Sequence, residues 1–81
     1  MGLDSVEFVM EIEEEFDITI PDPDAELLRR ISDVIDYVSK RIVGDRENVR
    51  QRVYKIAADV MNLDPATITD DSDLANDLGM D

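Results

Sequence analysis

Apolar residues recur at helical spacing in three stretches of this 81-residue chain. In 46–61, Val49, Val53, Ile56 and Val60 step by four, three and four, with Arg46, Arg50, Arg52, Lys55 and Asp59 among the intervening positions. That spacing predicts an amphipathic helix with one buried stripe. Residues 32–43 repeat the pattern through Val34, Ile35, Val38 and Ile42, and Ser32 is the expected N-cap. The stretch 3–16 is helical by the same test, yet it carries two apolar sides. At about 100° per residue, Phe8, Val9, Ile12 and Phe16 fall on one side, and Leu3, Val6 and Met10 fall over a quarter turn away.

Breakers separate these stretches. Ile20-Pro21-Asp22-Pro23 ends the first one, because proline lacks an N–H and pushes its predecessor out of helical geometry. Asp22 is then expected to cap a short helix whose first position is Pro23, running through Ala25, Leu27 and Leu28. Asp64-Pro65 repeats the cap-then-proline device inside a long loop, 62–77, rich in Asp, Thr and Asn. Val43-Gly44-Asp45 reads as a tight connection that makes two helices near-antiparallel neighbours. Ile18-Thr19-Ile20, the only candidate strand, is too short. The pattern predicts an all-α single domain, a four-helix bundle of three main helices, one short helix and one long acidic loop.

The second apolar side of 3–16 admits two readings. Glu7 and Glu14 border Leu3, Val6 and Met10 on one flank, and Glu13 and Asp17 on the other. An apolar centre with a charged rim is the make-up of a docking surface. Alternatively the three residues pack beneath a neighbouring loop.

Composition sharpens the choice of function. Against 8 Lys and Arg stand 21 Asp and Glu, a net charge of -13 concentrated in 4–26 and 59–81. Such a field repels nucleic acid and anionic membrane and steers the chain toward basic partner surfaces. It also works against compaction, so salt should stabilise the fold. With Cys 0 and His 0, there is no disulfide, thiolate nucleophile or histidine general base. A carrier or binding module, not an enzyme, is the expected class. The absence of a long apolar run makes a cytoplasmic location the expectation.

Particular residues carry a family resemblance. Val6-Glu7-Phe8-Val9-Met10-Glu11-Ile12-Glu13-Glu14-Glu15-Phe16, followed by Asp17-Ile18-Thr19-Ile20-Pro21-Asp22, resembles the second helix and following loop of bacterial acyl carrier proteins. Ile31 through Val38 resembles that family's last helix. Residues 52–81, ending Asp77-Leu78-Gly79-Met80-Asp81, resemble its first helix and long loop. The resemblance covers nearly the whole chain, but in a different order. In the family, the Asp-Leu-Gly-x-Asp segment directly precedes the carrier serine; here it is C-terminal and the acidic helix is N-terminal. The resemblance therefore implies a circular permutant. Residues 1–42 correspond to the family's second to last helices, 43–45 to a new linker, and 46–81 to its first helix and long loop. Met1-Gly2 at the cut points to a designed rearrangement, with a natural one as the alternative.

The resemblance also implies chemistry. Family members carry acyl groups as thioesters on a phosphopantetheine arm attached to a serine at a helix N-terminus, where backbone N–H groups and the helix dipole favour phosphate. Two registers compete for that serine. Gly2-Leu3-Asp4-Ser5 superficially matches the attachment motif and makes Ser5 the carrier, at the expense of nearly one helical turn. The gap-free register places Gly2, preceded across the cut by Asp81, at the carrier position, so that no arm is expected. The implied partners are a phosphopantetheinyl transferase and fatty-acid or polyketide synthesis enzymes with basic docking surfaces. Docking is expected on Leu3, Val6 and Met10, rimmed by Glu7, Glu13, Glu14 and Asp17. A monomer is expected.

Two other classes compete. Asp70-Asp71-Ser72-Asp73 and Asn76-Asp77 offer oxygen ligands, but a calcium loop opening at Asp71 lacks Gly at its sixth position, where Asn76 stands, and ends before its twelfth. Only weak divalent-cation binding is expected there. An acidic helical adaptor without covalent cargo is the other alternative.

Overall fold

A computed structural model describes residues 3–80. Its elements are α1 (Leu3–Phe16), α2 (Asp22–Ala25), α3 (Ile31–Ser39), α4 (Arg46–Met61) and a turn of 3₁₀ helix, Pro65–Thr67. The all-helical bundle expected from the apolar spacing is present, with α4 packed against both α1 and α3. Among the described residues no strand forms; Arg30 and Asp73 make one isolated antiparallel bridge.

The buried stripes meet in a common core. α1 contributes Phe8, Ile12 and Phe16, α3 contributes Ile31, Val34, Ile35 and Val38, and α4 contributes Val49, Val53, Ile56, Ala57 and Ala58. Ile68, Leu74, Leu78 and Met80 close it from the long loop. Each large side chain so buried favours folding by about 1.5–3 kcal/mol, which is how a segment with little regular structure is held in place.

Helix ends follow local chemistry, not always where the sequence suggested. α4 starts at its cap, Asp45, whose carboxylate accepts from the Glu47 N–H at 3.1 Å. It stops at Asn62, which adopts φ 54° and lets the Leu63 N–H reach the Ala58 carbonyl at 2.9 Å. α1 stops in the same way, with Asp17 at φ 53° and the Ile18 N–H on the Glu13 carbonyl at 3.1 Å. Asp64 accepts from the Ala66 N–H at 2.9 Å, as the cap-then-proline pattern requires.

Three expectations are corrected. α3 begins one residue before Ser32, so Ser32 is not its cap. The free N–H groups of Ile31 and Ser32 donate to the Ser72 and Asp70 carbonyls at 3.1 and 2.9 Å, and the Asp33 carboxylate accepts from the Arg29 and Arg30 N–H groups. Loop backbone replaces the serine because the core draws Leu74 and Ile68 inward beside α3. α3 also ends at Ser39, so the connection to α4 runs over 40–45, wider than Val43-Gly44-Asp45. An ion pair between Arg46 and Asp36 at 2.6 Å spans it. Finally, Asp22 is the first residue of α2 and makes no cap; Pro21 precedes the helix, and Leu27 and Leu28 lie beyond its end. Two prolines leave too few free N–H groups for a carboxylate to cap.

Candidate functional site

α1 divides its apolar residues between two environments. Phe8 and Ile12 are each 1% exposed, whereas Leu3, Val6 and Met10 are 86%, 41% and 53% exposed. The stripe does not pack beneath a loop; it faces solvent. Of its acidic neighbours, Glu7 and Glu14 are exposed. Glu13 is half-buried, and its carboxylate accepts from the Ile20 N–H at 2.9 Å. Glu13 therefore closes the loop after α1 as well as standing beside the stripe. Asp17 is exposed, in the left-handed conformation that ends the helix.

Around the helix from this stripe, a largely apolar hollow of about 450 Å³ opens. Ser5, Phe8 and Val9 form its α1 side; Ala25, Leu28, Leu74 and Met80 supply most of its opposite apolar wall. Its volume falls within the roughly 300–1,000 Å³ of small-molecule sites. Glu26, Arg29, Asp73 and Asn76 add polar groups to its lining. Ser5 sits in the first turn of α1, half-buried, and lines the hollow. Gly2 and Asp81, the other two positions named for attachment, lie outside the described residues.

The wall formed by 73–80 is held by its own polar contacts. Asp73 accepts from the Ala75 and Asn76 N–H groups at 2.9 Å, and these bonds keep its carboxyl below the usual carboxylate range. The Leu74 N–H donates to Arg29, and the Met80 N–H to Leu74, both at 2.8 Å. Farther back, Asp70 ties three elements together. Its carboxylate accepts from the Tyr54 hydroxyl and from Arg50 Nε on α4, the latter at 2.9 Å, while its carbonyl accepts from Ser32 on α3. The Tyr54 bond and then the Arg50 bond lower the Asp70 pKa; burial and the same carboxylate raise that of Tyr54.

Such a site can shelter an apolar chain and present a binding face, but its residues offer no proton-transfer pair aimed at a common point. Known proteins give the arrangement a context. Similarity is found to proteins named acyl carrier protein from Thermosynechococcus vestitus, 48% identical over 43 residues, covering 53% of each chain. Those of Syntrophobacter fumaroxidans and Chlorobium phaeobacteroides are 55% identical over 39 residues and 51% over 40. They cover 48% of each chain in the first case, and 49% of this chain and 51% of the relative in the second. Over about half its length, the chain is similar to acyl carrier proteins. It spans about half the length of the curated relatives it matches. No family model matches it, and no solved structure does.

The exposed apolar stripe of α1 was readable from helical phase, because α1 is regular throughout. The hollow was not. Leu74 and Met80 are isolated apolar residues in an acidic loop, and only tertiary packing sets them opposite Val9 and Leu28. The Asp70 hub was also missed; its three partners are 16, 20 and 38 positions away, so no local spacing announces it. Among the described residues, no group of three or more His, Cys, Asp or Glu is placed to hold a metal ion. No described helix is long and apolar enough to cross a membrane.

Proposed function

We propose that the chain is an acyl-carrier scaffold in circularly permuted order, built to present an acyl chain to basic enzymes of fatty-acid or related synthesis. The observation that carries this reading is the apolar hollow opening beside the first turn of α1, on the helix that also exposes Leu3, Val6 and Met10. One helix thus combines a place for cargo with a face for partners. The chain acts by positioning and not by catalysis.

The permuted order has its own support. The matches run over 39 to 43 residues, about the length of the block 1–42 that precedes the proposed join. On this reading, 1–42 are the family's second to last helices and 46–81 its first helix and long loop. The join is 43–45, inside the observed connection 40–45.

A phosphopantetheine arm, when bound, supplies the thiol on which an acyl group travels. The hollow suits the apolar end of such cargo, since Phe8, Val9, Leu28, Leu74 and Met80 exclude water from it. The attachment point fits less well. Gly2, at the carrier position in the gap-free register, has no hydroxyl. Ser5 lies three residues on, and three residues of ideal helix amount to about 4.5 Å along the axis and some 60° around it. An in-line transfer is sensitive to misplacement of about 1 Å, so Ser5 is a poor substitute. The missing hydroxyl favours a carrier fold without an arm, acting as an acidic interaction module. Intact mass after treatment with a phosphopantetheinyl transferase and coenzyme A tests this. Little or no adduct is expected, with slow labelling at Ser5 at most and partial recovery in Gly2→Ser. Rapid, complete modification of Ser5 would make Gly2-Leu3-Asp4-Ser5 the attachment motif instead.

A further inference from the structure

The loop beyond α4 has two unlike parts. Up to Ile68, which is buried in the core, it packs on α4. Residues 69–80 contain no helix and keep their shape by bonds among themselves. The Ser72 N–H donates to the Thr69 carbonyl at 3.0 Å, Asp77 to Asp73 at 2.9 Å and Met80 to Leu74 at 2.8 Å. Their polar ties to the helices run along one seam. The Ile31 and Ser32 N–H groups donate to Ser72 and Asp70, the Leu74 N–H donates to Arg29, and the Asp70 carboxylate accepts from Tyr54 and Arg50. A segment bonded internally and fastened along one edge moves as a unit when that edge releases. Leu74 and Met80 of this segment wall the hollow across from Phe8 and Val9, so the moving part covers a cavity.

The fastening is poised between two states. Residues 69–80 carry Asp70, Asp71, Asp73 and Asp77 and no base, so repulsion within a chain of net charge -13 favours release. Burial of Leu74, Leu78 and Met80 favours closure. Arg50 adds to closure through Asp70, yet it also holds Glu47 at 3.2 Å and stands over the Tyr54 ring at 4.8 Å. It therefore keeps partners when Asp70 leaves. The Arg50 and Asp70 side chains are 39% and 45% exposed, so water can take the place of either. A contact whose members are satisfied in both positions suits a two-state element. We propose that 69–80 is a lid that opens as one unit while α1, α3 and α4 stay folded, and that the contact of Asp70 with Tyr54 and Arg50 is its latch. Opening draws Leu74 and Met80 away from Phe8 and Val9 and admits water to the hollow. Neither Gly2 nor Ser5 takes part, so the device is the same with or without an attached arm.

Native-state hydrogen exchange of the full chain across low denaturant concentrations is the test. The Ile31, Ser32 and Leu74 amides report the seam, and the Val53 and Ala57 amides, inside α4, report global unfolding. The three seam amides should share one opening, with a shallower denaturant dependence than the two helix amides. Tyr54→Phe keeps the ring and removes its bond to Asp70. It should speed the seam amides by about tenfold, the scale of a partly exposed bond to a charged group, and the helix amides equally, because both openings break that bond. Tyr37→Phe removes the comparable bond to Asp24, away from the seam. It should speed the helix amides and leave the seam amides unchanged. Seam amides that exchange only together with the helices would overturn the lid. An effect of Tyr54→Phe confined to the helix amides would overturn the latch, as would an equal effect of Tyr37→Phe on the seam.

Discussion

Helices α1 and α4 are of similar length, 14 and 16 residues, and they pack against each other, yet they treat water differently. α4 keeps Val49 and Val53 inside and turns Arg50 and Arg52 outward, tied to Asp70 and Glu15. Arg52 also lies over the Phe16 ring at 4.4 Å, bracing the end of α1. α1 buries its own stripe but leaves a second one in solvent, bordered by exposed acids. Stability explains α4 fully. It does not explain Leu3 or Met10, because exposed apolar area gains nothing in an isolated chain. The difference is that α1 leaves apolar area in water that its own packing does not use.

The largest test of that contrast lies within α1 itself. Phe8→Ala removes a side chain 1% exposed and should cost about 3–5 kcal/mol, enough to unfold much of so small a domain. Met10→Ala, at 53% exposure, should change stability by less than about 0.5 kcal/mol. Thermal melts of the two variants check this, and comparable losses would erase the distinction between the stripes.

Function should show the opposite ranking. Reversing Glu7 and Glu14 to Lys should slow association with a basic synthesis enzyme by about tenfold at low salt, since surface charge acts chiefly on encounter. The melting temperature should hardly move. Stopped-flow association rates unaffected by the reversal would remove the stripe's rim from docking.

Salt sets the two helices against each other. Screening should relieve repulsion among the acids of α1 and weaken the α4 ion pairs, and with a net charge of -13 the first effect should dominate. Midpoints of thermal unfolding should rise across a salt series; a flat or falling series would place the ion pairs above the repulsion.

Proton linkage isolates the α4 side. The Asp70 carboxyl is lowered in the folded chain, first by Tyr54 and then by Arg50. Its contribution is therefore present above the ordinary carboxylate pKa and lost as pH falls through the lower folded value. Tyr54 and Tyr37 are raised, chiefly by burial. Their contribution is present below the ordinary tyrosine pKa and lost as pH climbs toward the folded values. Denaturant melts across pH should decline at both ends, and Asp70→Asn should flatten the acid limb specifically.

The smallest expected effect compares the helix ends. Asp17 and Asn62 both occupy left-handed geometry, at φ 53° and 54°. Asp17→Gly should stabilise by about 0.5 kcal/mol, strain relief being partly offset by added unfolded-state freedom. A loss on substitution would mean that the Asp17 side chain contributes more than its backbone costs.

Most of the fold was legible because its signals are local. The step pattern of Val49, Val53 and Ile56 located α4, and Asp64 caps as its cap-then-proline pattern suggested, although the 3₁₀ turn it opens was read as loop. Ser32 misled for an instructive reason. A serine before an apolar run is a good local cap, but the Ser72 and Asp70 carbonyls, 41 and 38 residues away, accept from the Ile31 and Ser32 N–H groups, and the helix opens one residue earlier. The second contact of Glu13, with the Ile20 N–H seven residues on, was not visible in the helical phase.

By itself, then, the sequence determined the helices, their buried faces and the net charge of -13, all properties of residue type and short-range periodicity. Tertiary structure alone decided that the second stripe of α1 meets water and that Ser5 lines a hollow. It also decided that Arg29 stands on that hollow's edge. Those outcomes depend on where a loop with little regular structure comes to rest. A loop has no period from which to read its facing; burial of Leu74, Leu78 and Met80 against distant helices places it.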